Sequence, residues 1–143
     1  MKEKVCSFFD SEEALFFSSG YQANTGVIAC LAGQEDLILA DEKVHASMKD
    51  GIKLSQANCF FFKHNDTRQF EKKLIRLKEK KDYRSIFILL ESLYSMDGDF
   101  CDLEGFCRIS RNYGAYIILD EAHSTCTYGK GRGLARELKL HND

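Results

Sequence analysis

Two carboxylates and a histidine close the run Tyr116-Ile117-Ile118-Leu119-Asp120-Glu121-Ala122-His123. An ionised carboxylate only accepts hydrogen bonds and steadies a nearby positive charge, whereas an imidazole can donate, accept or carry a proton. Asp120 and His123 are three apart, so a turn after the apolar run can aim both at one ligand. The run itself reads as a strand buried on both faces, the usual state in a parallel sheet. Its C-terminal end is where open α/β sheets bind ligands.

Other polar clusters stand at comparable places. Ser18-Ser19-Gly20 precedes a helical pattern that starts at Tyr21. Amides in a first helical turn lack intrahelical partners and face outward toward an anion, so the Gly20 and Tyr21 N–H groups are candidate phosphate donors. A plain N-cap by Ser18 or Ser19 is the alternative for the same residues. His45-Ala46-Ser47 opens another helix just after a strand that ends at Asp41. Glu91-Ser92-Leu93-Tyr94-Ser95-Met96-Asp97-Gly98-Asp99 forms a polar loop after the most apolar strand. One sheet edge would then gather Gly20, His45, Ser95, Asp120 and His123.

The elements that must position these groups follow from periodicity. Short apolar runs predict strands near 14–17, 37–40, 58–62, 85–90 and 115–119. Helices are predicted over Lys2 to Phe9, from Tyr21 to a stop at Gly33, and after His45 with Met48, Ile52 and Leu54 as apolar positions. Two more are predicted from Arg68 to about Lys81 on a Phe70, Leu74 and Leu77 stripe, and from Leu103 to Tyr113. The segment His64-Asn65-Asp66-Thr67 reads as a turn and helix cap, and Tyr128 to Gly133 as a flexible glycine-rich loop. Strand and helix alternate along the chain, which predicts an α/β fold with a mostly parallel sheet and helices on both faces.

Composition bounds the function classes. The chain has 143 residues, 44% apolar and 29% charged, the profile of one globular domain. A net charge of −2 gives no global attraction to nucleic acid or to an anionic membrane. Residues 68–84 carry eight basic and three acidic side chains. Phe70 belongs to the apolar stripe, so this stretch reads as the solvated face of an amphipathic helix rather than a nucleic-acid patch. The longest apolar runs are too short to span a bilayer. Six cysteines show no C-x-x-C pair, which argues for reduced thiols in a cytoplasmic protein and against a zinc site. The chain contains no proline, so Gly, Asn, Asp and Ser mark its boundaries.

Five segments in series carry a resemblance. Phe17-Ser18-Ser19-Gly20-Tyr21-Gln22-Ala23-Asn24, Asp41 with His45-Ala46-Ser47, His64-Asn65-Asp66, Glu91 to Asp99, and Asp120-Glu121-Ala122-His123-Ser124-Thr125 resemble the α-oxoamine synthases. These are pyridoxal-phosphate enzymes of the aspartate-aminotransferase fold, and the likeness runs over nearly all of the chain in the same order. The resemblance implies pyridoxal 5'-phosphate as cofactor and an acyltransferase reaction between a small amino acid and an acyl thioester. The motif wording is most similar to 8-amino-7-oxononanoate synthase of biotin synthesis. Glycine C-acetyltransferase and serine palmitoyltransferase stay open. The family also builds its site across a homodimer interface.

Residue by residue, the resemblance gives Asp120 to the pyridine nitrogen and His123 to the phenolic oxygen of the cofactor. It gives His45 to the ring face, Gly20 and Tyr21 to the phosphate, and Ser95 to the polar edge, with Glu91 supporting its loop. There are departures. Cys126 stands where the family has glycine, and the loop to Gly133 is one residue shorter and lacks the frequent proline. No residue after Gly133 resembles the segment that carries the family's Schiff-base lysine. The expectation is therefore a partial cofactor-binding large domain over 1–143, without the N-terminal segment and the C-terminal small domain, inactive in isolation.

A rival reading takes Asp120-Glu121-Ala122-His123 as the second nucleotide motif of a DEAH-box ATPase. That reading requires a G-x-x-x-x-G-K-[ST] loop upstream. No such loop occurs in the sequence.

Overall fold

The computed structural model describes residues 1–140. Four parallel strands are β1 (Leu37–Asp41), β2 (Asn58–Phe62), β3 (Ile86–Glu91) and β4 (Tyr116–Asp120), in the order β2-β1-β3-β4. The helices are α1 (Lys2–Phe9), α2 (Gly20–Leu31), α3 (Ala46–Ser55), α4 (Thr67–Lys78), α5 (Leu103–Tyr113) and α6 (Leu134–Glu137). Each parallel pair requires a crossover, and α3, α4 and α5 supply them.

Alternation along the strands divides the core into two layers. Leu37, Leu39, Ile88 and Leu90 point to one face, where Phe70 and Leu74 of α4 and Phe106 and Ile109 of α5 cover them. Ile38, Ala40, Phe87 and Leu89 point to the other, against Ile28 of α2 and Met48 and Ile52 of α3. All residues of β1 and β3 are buried, because each strand has a neighbour on both edges and helices on both faces. This is the α/β architecture with helices on both faces that the alternation predicts.

Helix ends follow local chemistry. Asp66 caps α4 by accepting from the Gln69 amide at 2.8 Å, and Asp102 caps α5 by accepting from Gly105 at 3.1 Å. Gly114 closes α5 at φ 63°, a left-handed turn that glycine adopts without steric cost.

Several expectations change. Residues 14–17 form no strand: they lie in irregular chain with Leu15 82% exposed, since no neighbouring strand offers them a ladder. Helix α2 stops at Leu31 with Ala32 extended, ahead of Gly33. The Gly33 amide donates instead to the Asp36 carboxylate at 2.8 Å. That carboxylate is fully buried and also paired with Arg84, which holds its pKa below the usual range. Leu54 lies on the outer side of α3, exposed. The glycine-rich stretch is hydrogen-bonded rather than loose. Gly129–Gly131 forms a 3₁₀ turn, and the Gly129 amide donates to the Glu137 carboxylate at 2.9 Å.

Candidate cofactor site

The C-terminal ends of β3 and β4 and the N-termini of α2 and α3 meet at one open cleft. Gly20, Tyr21, Asn24, His45, Ser47, Glu91, Asp120, Ala122 and His123 line it. The register places Glu91 directly beside Asp120. Five of the residues singled out from the sequence therefore converge: Gly20, Tyr21, His45, Asp120 and His123. Ser95 does not join them. It is exposed on the loop after β3 and lines a neighbouring depression with Glu42, Lys43, Lys49, Tyr94, Met96 and Asp97. The loop turns Ser95 away because Tyr94 is buried and Gly98 closes back on the Tyr94 carbonyl at 2.8 Å.

Both readings of the Ser-Ser-Gly turn hold at once. Ser19 is the N-cap of α2, its Oγ accepting from the Gln22 amide at 3.2 Å. The Gly20 and Tyr21 amides fall in the first turn, where no intrahelical carbonyl can reach them. Space beside the Gly20 α-carbon is open. The Tyr21 hydroxyl donates to Asp50, and its ring meets His45 edge-on at 6.5 Å between centroids.

Asp120 is oriented from two sides. Its Oδ1 accepts from the Ala122 amide at 2.9 Å, and its Oδ2 accepts from the Asn24 side chain at 2.7 Å. Asn24 and Ser47 stand in the quoted motifs, yet sequence reasoning gave them no role. The signal available was their place near the helix starts, Asn24 one turn into α2 and Ser47 in the first turn of α3, where both line the cleft. Glu91 is 4% exposed. Burial raises its pKa, Asp120 adds to the effect, and the His45 backbone amide donating to its carboxylate opposes it.

The donor set suits pyridoxal phosphate. Helix-end amides provide for the phosphate, an oriented carboxylate for the pyridinium, and an imidazole for each of the ring face and the ring oxygen. Among the described residues no group of three or more His, Cys, Asp or Glu is placed to hold a metal ion. None of their helices is long and apolar enough to cross a membrane. A larger cavity of about 530 Å³ lies elsewhere, lined by Asp10, Gly129, Lys130, Arg132, Arg136, Glu137 and Lys139. It shares no residue with the cleft.

Comparison with known proteins agrees with this geometry. Residues 1–141 match the family described as Aminotransferase class I and II. The 8-amino-7-oxononanoate synthase of Chlorobaculum parvum is 40% identical over 139 residues, 96% of this chain and 35% of that protein. The solved serine palmitoyltransferase of Sphingomonas wittichii superposes with a TM-score of 0.91 at 37% identity, over 99% of this chain and 35% of its own. A serine palmitoyltransferase variant from S. paucimobilis, solved with a bound PLP–myriocin aldimine, superposes with a TM-score of 0.91 at 33% identity, over 98% of this chain and 36% of its own. The chain thus spans about a third of the proteins it matches. It belongs to the aminotransferase class I and II family, whose pyridoxal-phosphate-dependent α-oxoamine synthases are the members it resembles.

Proposed function

We propose that this chain is the cofactor-cradling part of a pyridoxal-phosphate-dependent acyltransferase that joins a small amino acid to an acyl thioester. The observation that carries the reading is the convergence of the Gly20 and Tyr21 amides, His45, Asp120 and His123 on one cleft at strand ends. The 8-amino-7-oxononanoate synthase reaction of biotin synthesis is the preferred form, supported by 40% identity to the Chlorobaculum parvum enzyme. A serine-palmitoyltransferase-like reaction is the second reading, favoured by the TM-score of 0.91. The proposal extends to a homodimer and to a cytoplasmic location, which cysteines in the reduced state suit.

Bound pyridoxal phosphate supplies an electron sink for charge that develops on the amino acid. The residues then divide the work. Asp120, held by Asn24 and the Ala122 amide, keeps a proton on the pyridine nitrogen. The first turn of α2 would hold the phosphate. His45 would lie at the ring face, and His123 would donate to the ring oxygen. The 143-residue chain spans about a third of the proteins it matches, and by itself it is proposed to bind the cofactor weakly and not to turn over.

The test is to titrate the purified chain with pyridoxal phosphate by equilibrium dialysis. Saturable binding that weakens at least about tenfold in Asp120→Ala supports the reading; that is roughly the worth of one charge-assisted contact. Release of free thiol from pimeloyl and palmitoyl thioesters, with alanine or serine, separates the two reactions in the full-length protein. Binding indifferent to Asp120 overturns the site. Turnover by the isolated chain, lost in Asp120→Ala, overturns the proposed inactivity.

A further inference from the structure

A chain of hydrogen bonds connects Asp120 to His45 through two side chains. The Asn24 amide nitrogen donates to Asp120 Oδ2 at 2.7 Å and to Ser47 Oγ at 3.0 Å. Ser47 Oγ lies 2.7 Å from His45 Nδ1, and the Ser47 backbone N–H points at the same ring nitrogen at 3.2 Å. Ser47 is fully buried, so its hydroxyl has no water to turn to.

The direction of every proton in this chain is fixed by its end. An ionised carboxylate only accepts, so Asn24 must turn its amide nitrogen, never its carbonyl, toward Asp120. With both Asn24 protons spent on Asp120 and Ser47, the Ser47 oxygen acts as acceptor toward Asn24. Its own proton is then free to go to His45. His45 Nδ1 thus receives the Ser47 hydroxyl in addition to the Ser47 backbone amide, and a nitrogen that accepts carries no proton. We infer that Asn24 and Ser47 are positioning residues that transmit the polarity of Asp120 to His45 and fix it as the neutral tautomer with its proton on Nε2.

The consequence rests on the reading of Asp120 and His45 as cofactor residues: the acid at the pyridine edge also sets the electronic state of the ring-face imidazole. A neutral ring stacks without opposing the pyridinium charge that Asp120 sustains. The relay itself lies wholly in this chain and is open to measurement without cofactor or turnover.

The experiment is long-range ¹H–¹⁵N correlation spectroscopy on the cofactor-free chain with ¹⁵N-labelled histidine, under mildly alkaline conditions. His45 is assigned by the signal lost in His45→Gln. The expected result is a pyridine-like Nδ1 and a pyrrole-like Nε2, with essentially one tautomer. In Ser47→Ala the two nitrogens should move toward averaged shifts as the tautomers mix. Asn24→Ala should act in the same direction, and it serves where the Ser47 variant does not fold. Mixed tautomers or a protonated Nδ1 in the unmodified chain overturn the inference, as do folded variants that leave both shifts unchanged. Loss of cofactor binding with an intact Nε2–H tautomer would fault the cofactor reading alone.

Discussion

His64 Nδ1 lies 3.0 Å from Oδ1 of Asp41, a carboxylate with no exposed surface. The other ring nitrogen is 2.8 Å from Asp99 Oδ2. A neutral imidazole has one N–H, so a ring with a carboxylate at each nitrogen is held as the imidazolium. The cation ties the end of β1 and the turn before α4 to the loop after β3, with the Tyr94 ring edge-on at 4.4 Å. Glu42 accepts from the His64 backbone amide at 3.1 Å, and Lys43 pairs with Asp97 beside the same acids.

This arrangement makes stability depend on pH. Burial of His64 works against its charge, but the hydrogen bonds and charges of Asp41 and Asp99 outweigh it, and the pKa rises above the ordinary 6.5. The folded value exceeds the unfolded one, so the contribution is complete below about 6.5 and is lost as pH rises through the elevated folded value. Urea unfolding across neutral to alkaline pH should show this decline, and His64→Gln should flatten it. At slightly acid pH the variant should be weaker by about 2 kcal/mol, less than a fully buried pair would lose because Asp99 is partly exposed. Equal slopes in both proteins would contradict the assignment.

Glu91 predicts the opposite effect of removing a charge. Burial first, and the Asp120 carboxylate second, raise its pKa above 4.5. A carboxyl raised on folding favours the folded state below its unfolded pKa, and this advantage disappears as pH rises through the folded value. Glu91→Gln keeps an oxygen for the His45 amide and removes the buried charge. The variant should therefore be more stable than the parent at neutral pH, by up to about 1 kcal/mol, and no more stable near pH 3, both read from urea midpoints. A loss of stability at neutral pH would mean that the carboxylate has a partner the geometry does not reveal.

Packing and site are coupled at Gly51, where α3 crosses α2. A methyl group there would meet Ile28 Cβ at 3.0 Å, the Asn24 carbonyl at 3.1 Å and the Thr25 α-carbon at 3.2 Å. Two of these belong to backbone, so relief requires the helices to part. Gly51→Ala should lower stability by roughly 1–3 kcal/mol. It should also weaken pyridoxal phosphate binding, because Asn24 moves with its carbonyl. Thermal melts and dialysis on the same samples test both.

Ser95 and Asp120 should separate in a binding assay. Ser95 lines the depression shared with Lys43 and Lys49 and is not among the residues that line the cleft. Ser95→Ala should leave the cofactor affinity of this chain within about twofold, against at least about tenfold for Asp120→Ala. Comparable losses would place Ser95 back at the cleft.

Much of this arrangement was legible because the strong signals were local. The apolar runs at 37–40 and 86–90 state burial on both faces, and Phe70, Leu74 and Leu77 state a helix. The run at 116–119 makes the same statement, but β4 is an edge strand with Tyr116 exposed and Ile117 to Leu119 half-buried, because it has a neighbouring strand on one side only. Leu15-Phe16-Phe17 carries the same composition and forms no strand, since a strand is completed by a neighbour that a local run cannot reveal. At the cleft, Asp120 and His123 declared themselves by residue type and position. Asn24 and Ser47 did not, because an asparagine one turn into a helix has many uses, and only the contact across 96 positions to Asp120 singles it out. Ser95 stood correctly at a strand end, but the loop's return through Gly98 decides its direction, and that turn is set by tertiary contacts.

The pairing of Glu91 with Asp120 across β3 and β4 carries one more implication. Side chains alternate between faces along a strand, so sliding β4 by a single position would carry Asp120 to the opposite face of the sheet. The apolar residues Ile117, Ile118 and Leu119 are all half-buried, and hydrophobicity alone distinguishes the two alignments weakly. Ser92 supplies the missing instruction: its amide donates to the Asp120 carbonyl at 2.9 Å, and its hydroxyl meets that of Ser124 at 2.8 Å. A small buried serine thereby acts as a proofreading pin, and a misaligned chain would keep its sheet, its helices and its circular dichroism while having no acid at the cleft.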